Sequence, residues 1–87
     1  MAEVAEASTD NWWIMGDTEG NYVHWKGDSI FGCYIQVCDP ETAERFKTKD
    51  DAIKEIATPY VQNELDWGGG KIIPLKVTKT IKVLADL

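Results

Sequence analysis

The sequence predicts a small α+β domain: a mostly antiparallel sheet of about four strands with one helix packed on one face. Three observations carry this reading. Residues 71–84 hold the longest period-two pattern in the chain, with Ile73, Leu75, Val77, Lys79, Ile81 and Val83 on one parity and Lys76, Thr78, Thr80 and Lys82 on the other. Successive strand side chains point to opposite faces, so this is a strand with one apolar face and one cationic, threonine-bearing face. Residues 30–38, IFGCYIQVC, form a second strong strand signal. Between them, Ala52, Ile53, Ile56, Ala57, Tyr60 and Val61 recur at helical spacing.

From the N-terminus, residues 1–10 are small and polar without a period, and are expected to form a disordered tail. A single domain then spans residues 11–87. Residues 12–15, Trp-Trp-Ile-Met, are β-prone, and Asp17-Thr18-Glu19-Gly20-Asn21 is turn chemistry in which Gly20 and Asn21 can both take positive φ. With residues 22–26 they make a β-hairpin. Gly27-Asp28 is the next turn. In the strand over residues 30–38, Phe31, Cys33, Ile35 and Val37 form the better core face, which leaves Tyr34 on the other. Asp39-Pro40-Glu41 turns the chain, and residues 44–47 add a short edge strand with Phe46 inward.

Thr48 caps a helix over about residues 49–57, with Asp50 and Asp51 at the positive end of its dipole. Thr58-Pro59 either kinks that helix or starts a new turn with Pro at its first position. Trp67-Gly68-Gly69-Gly70 stops the helical region and frees the chain to reverse into the last strand. Pro74 cannot donate to a ladder, so that strand is an edge there or begins at Leu75. Lys79, the one break in its apolar face, belongs at the rim of the core. One helix on one sheet face is the economical burial, and the crossover through it to the last strand offers one parallel pair.

At 87 residues the chain is one domain, with room for one core and hardly for a deep cleft. Its 44% hydrophobic content argues against disorder. No apolar run approaches the ~18 residues needed to span a bilayer, and the start of the chain lacks a basic segment followed by an apolar stretch, so a cytoplasmic location is expected. The net charge of −6 divides into −3 over residues 1–10, −6 over 11–66 and +3 over 67–87. An acidic body with one cationic strand face can steer a partner, but phosphate contacts need concentrated positive charge, which disfavours nucleic acid.

Little catalytic chemistry is visible. Cys33 and Cys38 fall on opposite faces of one strand, a geometry that suits neither a shared metal nor a disulfide. Cys33 reads as a buried small hydrophobe and Cys38 as exposed at the strand end. His24 is the only histidine. The acidic pairs at Asp50-Asp51 and around Asp39 are explained by a helix cap and a solvated loop. No catalytic residue, metal site or cofactor is expected.

The aromatics are more informative. Four tryptophans in 87 residues is a high density, and the adjacent Trp12 and Trp13 must face opposite ways in a strand. With Tyr34 opposite Phe31, and Lys76 and Lys82 on the polar face of the last strand, an open sheet face presents aromatics beside lysines. Trp12, Trp13, Tyr34, Lys76 and Lys82 are therefore the expected partner-binding residues. Exposed Trp and Tyr anchor protein interfaces, and aromatics beside lysines also suit single-stranded nucleic acid. The alternative is that Trp12 or Trp13 covers a minor core and the Lys/Thr face is simply solvated.

The short β-meander, the helix opened by Phe46-Lys47-Thr48-Lys49-Asp50-Asp51-Ala52 and the closing strand Val77-Thr78-Lys79-Thr80-Ile81-Lys82-Val83 resemble small accessory proteins encoded by bacteriophages, over residues 22–84. Such proteins often bind and block a host protein, including host defence systems. The resemblance implies a non-enzymatic inhibitor or adaptor acting on a protein partner in the host cytoplasm, and it carries over no functional residue. A single-stranded nucleic-acid binder and a self-associating structural subunit or homodimer are the alternatives.

Overall fold

The computed structural model describes residues 2–28 and 30–86, with side chains over 9–28 and 30–80. Four strands, β1 (Ala2–Gly16), β2 (Tyr22–Gly27), β3 (Gly32–Val37) and β4 (Ile73–Asp86), and two short helices, α1 (Lys49–Ile56) and α2 (Pro59–Gln62), make a small α+β fold. The sheet order is β3-β2-β1-β4, and every strand pairing is antiparallel. The parallel pair offered by the crossover does not form, because β4 lies beside β1 and runs against it. β4 is thus an edge strand, which is where Pro74 can sit inside it without leaving a central ladder short of a donor.

The expected tail over residues 1–10 takes a different course: from Ala2 the chain is already in β1, paired with β4 from Ala2↔Asp86 to Gly16↔Ile73. That pairing supplies backbone partners for the far half of β4, whose apolar pattern calls for a strand but whose own neighbours in sequence offer none. β2 joins β1 only at Gly16↔Tyr22. The two strands then splay, and residues 44–46 fill the gap. Phe46 exchanges two 2.8 Å backbone hydrogen bonds with Trp13, and the Glu44 N–H donates to the Val23 carbonyl at 3.0 Å. The short strand expected over residues 44–47 is this single bridge.

Both faces of the sheet carry a core. On the helix side, Met15, Val23 and Val61 are buried and gather Tyr34, Phe46, Ile56, Leu65, Trp67 and Ile72. On the opposite side, Trp12, Ile14 and Ala43 are buried, with Tyr22, Leu75 and Val77 against them. The apolar parity of β4 therefore packs under the loop that carries Ala43, not under the helix. Lys79 lies at its rim, paired with Glu41 at 3.2 Å.

The helical segment follows local chemistry closely. Thr48 Oγ1 accepts from the Asp51 N–H at 3.1 Å, and Asp50 and Asp51 occupy the first turn. Ala52 is buried. After Ala57, Thr58 has extended backbone and Pro59 opens α2 at its first position, so the proline restarts the helix instead of kinking it.

β3 departs from expectation. Its helix-facing parity is that of Tyr34, which lies in register opposite Trp25, two residues from the buried Val23. Phe31 and Cys33, expected in the core, are exposed, while Ile35 and Val37 are half-buried on the side away from the helices. Cys33 and Cys38 are both free, exposed thiols.

Candidate functional site

In the β2–β3 connection the described residues Asp28, Ile30 and Phe31 are joined by hydrogen bonds. Gly27 has φ of 126°, a conformation that L side chains rarely adopt, and an added Cβ there would strike the Phe31 carbonyl. The Asp28 carboxylate accepts from the Ile30 N–H at 2.9 Å and the Phe31 N–H at 2.6 Å. Those two bonds hold its pKa below the ordinary carboxylate range against a smaller opposing effect of desolvation. The Trp25 indole N–H donates to the Asp28 carbonyl at 2.7 Å, and the Asp28 N–H bonds the Phe31 carbonyl at 3.0 Å. Two large apolar side chains are displayed on this frame: Ile30 is 79% exposed and Phe31 78%.

Behind the tip is a pocket of about 470 Å³ between the sheet and the helices, lined by Trp25, Ile30, Tyr34, Glu44, Glu55 and Tyr60 among others. Trp25 and Tyr34 meet edge-to-face, with ring centroids 4.9 Å apart and planes at 77°. The Tyr34 hydroxyl donates to Glu55 Oε1 at 2.7 Å. Burial first, then that hydrogen bond, then the negative charges of Glu55 and Glu44 push the Tyr34 phenol well above its usual range. Both carboxylates therefore bear on the pocket. Tyr60, on α2, is 55% exposed at its edge.

The sequence-predicted site residues are dispersed. Trp12 is buried at 8% exposure in the loop-side core, with the Arg45 guanidinium 4.1 Å from the centre of its ring. Trp13 is half-buried on the helix side, with Lys49 at 5.9 Å from its ring. Lys76 lies opposite Trp13 in register and is exposed. Lys82 pairs in register with Ala7, and its side chain lies outside the described residues. Tyr34 shares the parity of Trp13 and Lys76, on the face where the helices lie, and its hydroxyl is bonded to Glu55 of α1, while Lys76 on that face stays exposed. Tyr34 joins Trp25 in the pocket. Ile30, Phe31 and Tyr60 were missed. The available signal was two bulky apolar residues placed directly after the Gly27-Asp28 turn.

A second polar arrangement lies at the other end of β2 and β3. Asp17 is 3% exposed. Its Oδ1 accepts from the backbone N–H groups of Glu19 at 2.8 Å and Asn21 at 3.0 Å, and its Oδ2 from Asn21 Nδ2 at 2.9 Å and the Gly70 N–H at 2.7 Å. Gln36 continues the network, donating to Asn21 Oδ1 at 2.9 Å and accepting from the Gly68 N–H at 2.8 Å. An added Cβ on Gly69 would collide with the Asp17 carboxylate, so the triple glycine permits close approach as well as reversal. Every Asp17 contact is internal, which makes this a structural junction.

Comparisons with protein-family models, with curated proteins and with solved structures gave no match. Among the described residues no helix is long and apolar enough to cross a membrane.

Proposed function

We propose that this chain is a non-enzymatic protein-binding module whose contact surface is the β2–β3 tip with the pocket behind it. The observation that carries the reading is the display of Ile30 and Phe31, each nearly four-fifths exposed, with their N–H groups bonded to the Asp28 carboxylate. Exposed apolar groups cost solubility unless something covers them, and a rigid display lowers the entropy lost on binding. Tyr60 and the Trp25–Tyr34 pair extend the surface with aromatic area of the kind that anchors interfaces. The resemblance to bacteriophage accessory proteins points to a host protein as the partner, bound and blocked or recruited in the host cytoplasm. The nucleic-acid reading loses support from the burial of Trp12 and the turning of Tyr34 toward the helices.

The test is a pull-down from a bacterial lysate with the tagged chain and its Ile30→Ser/Phe31→Ser variant, each with and without nuclease. A stoichiometric, nuclease-resistant protein that the variant fails to retain is the expected result. Capture abolished by nuclease would move the function to nucleic acid. Equal capture by both forms would remove the tip from the interface, and recovery of the bait alone would point to self-association.

A further inference from the structure

The pocket behind the tip has a charge character of its own. Glu44 and Glu55 both line it, and among the described residues no lysine, arginine or histidine does. Among the described residues, one Glu55 oxygen is engaged by the Tyr34 hydroxyl, while Glu55 Oε2 and both Glu44 carboxylate oxygens have no hydrogen-bond or ion-pair partner. The nearest cation in sequence, Arg45, is drawn to the opposite face of the sheet by the Trp12 ring. Three aromatic residues, Trp25, Tyr34 and Tyr60, complete the wall. Carboxylates beside aromatic rings are the chemistry that receives an ammonium or guanidinium group, through charge-assisted hydrogen bonds on one side and the ring quadrupole on the other.

We infer that this pocket receives a basic side chain, arginine or lysine, of the partner, while an apolar residue next to it in the partner lies against Ile30 and Phe31. The inference rests on the protein-binding reading and names the partner's chemistry: a peptide segment with a basic residue beside an apolar one. The net charge of −6 favours the approach of such a segment from a distance.

The test selects binders from a random twelve-residue peptide library on the immobilised full chain, then measures the enriched peptides by tryptophan fluorescence and calorimetry. Enriched sequences are expected to carry arginine or lysine next to an apolar residue. Replacing that basic residue with a neutral isostere, citrulline for arginine or norleucine for lysine, should weaken binding ~10-fold or more, as should Glu44→Gln/Glu55→Gln in the protein. Gln at 55 still accepts from the Tyr34 hydroxyl, and the single Glu44→Gln variant serves if the double variant melts early. Peptides that lack a basic residue yet lose binding to Ile30→Ser/Phe31→Ser would overturn the cation pocket and leave the protein-binding reading intact. Absence of enrichment, or binding indifferent to both sets of substitutions, would overturn the two together.

Discussion

The Asp17 carboxylate sits where the β1–β2 turn, the end of β3 and the glycine loop before β4 converge, and its ionisation is tied to the fold. Loss of solvent raises its pKa, but the side-chain and backbone donors of Asn21, and the N–H groups of Gly70 and Glu19, outweigh that and hold it at about 2 against an ordinary 3.8. A carboxyl whose folded pKa lies below its unfolded one contributes stability that is complete above the unfolded value and is lost as pH falls through the folded one. Asp17→Asn should therefore be less stable than the wild type at neutral pH, because it sets an amide donor among N–H donors. The gap between the two proteins should close between about pH 4 and about pH 2. Urea midpoints of both proteins across that range check this, and a gap unchanged by pH would remove Asp17 from the acid response. Cys33 gives a second residue-scale test. It is exposed, so both thiols should react with Ellman's reagent in the native protein. A single fast thiol would return Cys33 to the interior.

At the scale of elements, the β2–β3 connection carries Ile30 and Phe31 on N–H bonds to the Asp28 carboxylate. Asp28→Ala removes the acceptor for the Ile30 and Phe31 N–H groups while leaving the strands paired. The expected outcome is faster amide exchange at Ile30 and Phe31, and weaker capture of the proposed partner with nearly unchanged thermal stability. Turn chemistry of this kind was legible in the sequence, as were the Thr48 cap, the restart offered at Pro59 and the hairpin turn at residues 17–21, because each depends on neighbours along the chain. The face assignment of β3 was not. Phe31, Cys33, Ile35 and Val37 outscore Gly32, Tyr34 and Gln36 in apolar content, but α1 is eight residues, ~12 Å, and what it covers is set by where the chain returns. The site followed the same division. The opposed orientation of Trp12 and Trp13 follows from adjacency alone, whereas the cover over Trp12 comes from Ala43 and Arg45, about thirty residues away.

At the scale of the molecule, β1 divides two cores, Ile14 facing one and Met15 the other, both essentially without exposure. Damage to either side is therefore transmitted through one strand, and unfolding should be a single transition. Met15→Ala should cost about 3 kcal/mol, read as a lower urea midpoint at unchanged slope. Tryptophan fluorescence and far-UV circular dichroism should still report the same midpoint. Separate midpoints would mean that the loop-side core around Trp12 survives alone. The radius of gyration of 16.2 Å exceeds the ~12 Å of a compact chain of this length. The excess comes from the paired ends of β1 and β4, which run on beyond the body in a shape 55 Å long and 22 Å thin.

The pairing of the first strand with the last also sets a timetable for a chain made from one end. β1 is complete at Gly16, but its partner begins at Ile73. At ~5–20 residues per second, β1 waits roughly 3–12 s on the ribosome before that ladder can form. The hairpin with β2 shields only its last residues in the meantime. The interval is one in which an unpaired strand is open to the wrong neighbour. The acidic Glu3, Glu6 and Asp10 spaced along it are charges of the kind that keep a waiting edge from pairing with another nascent copy of itself.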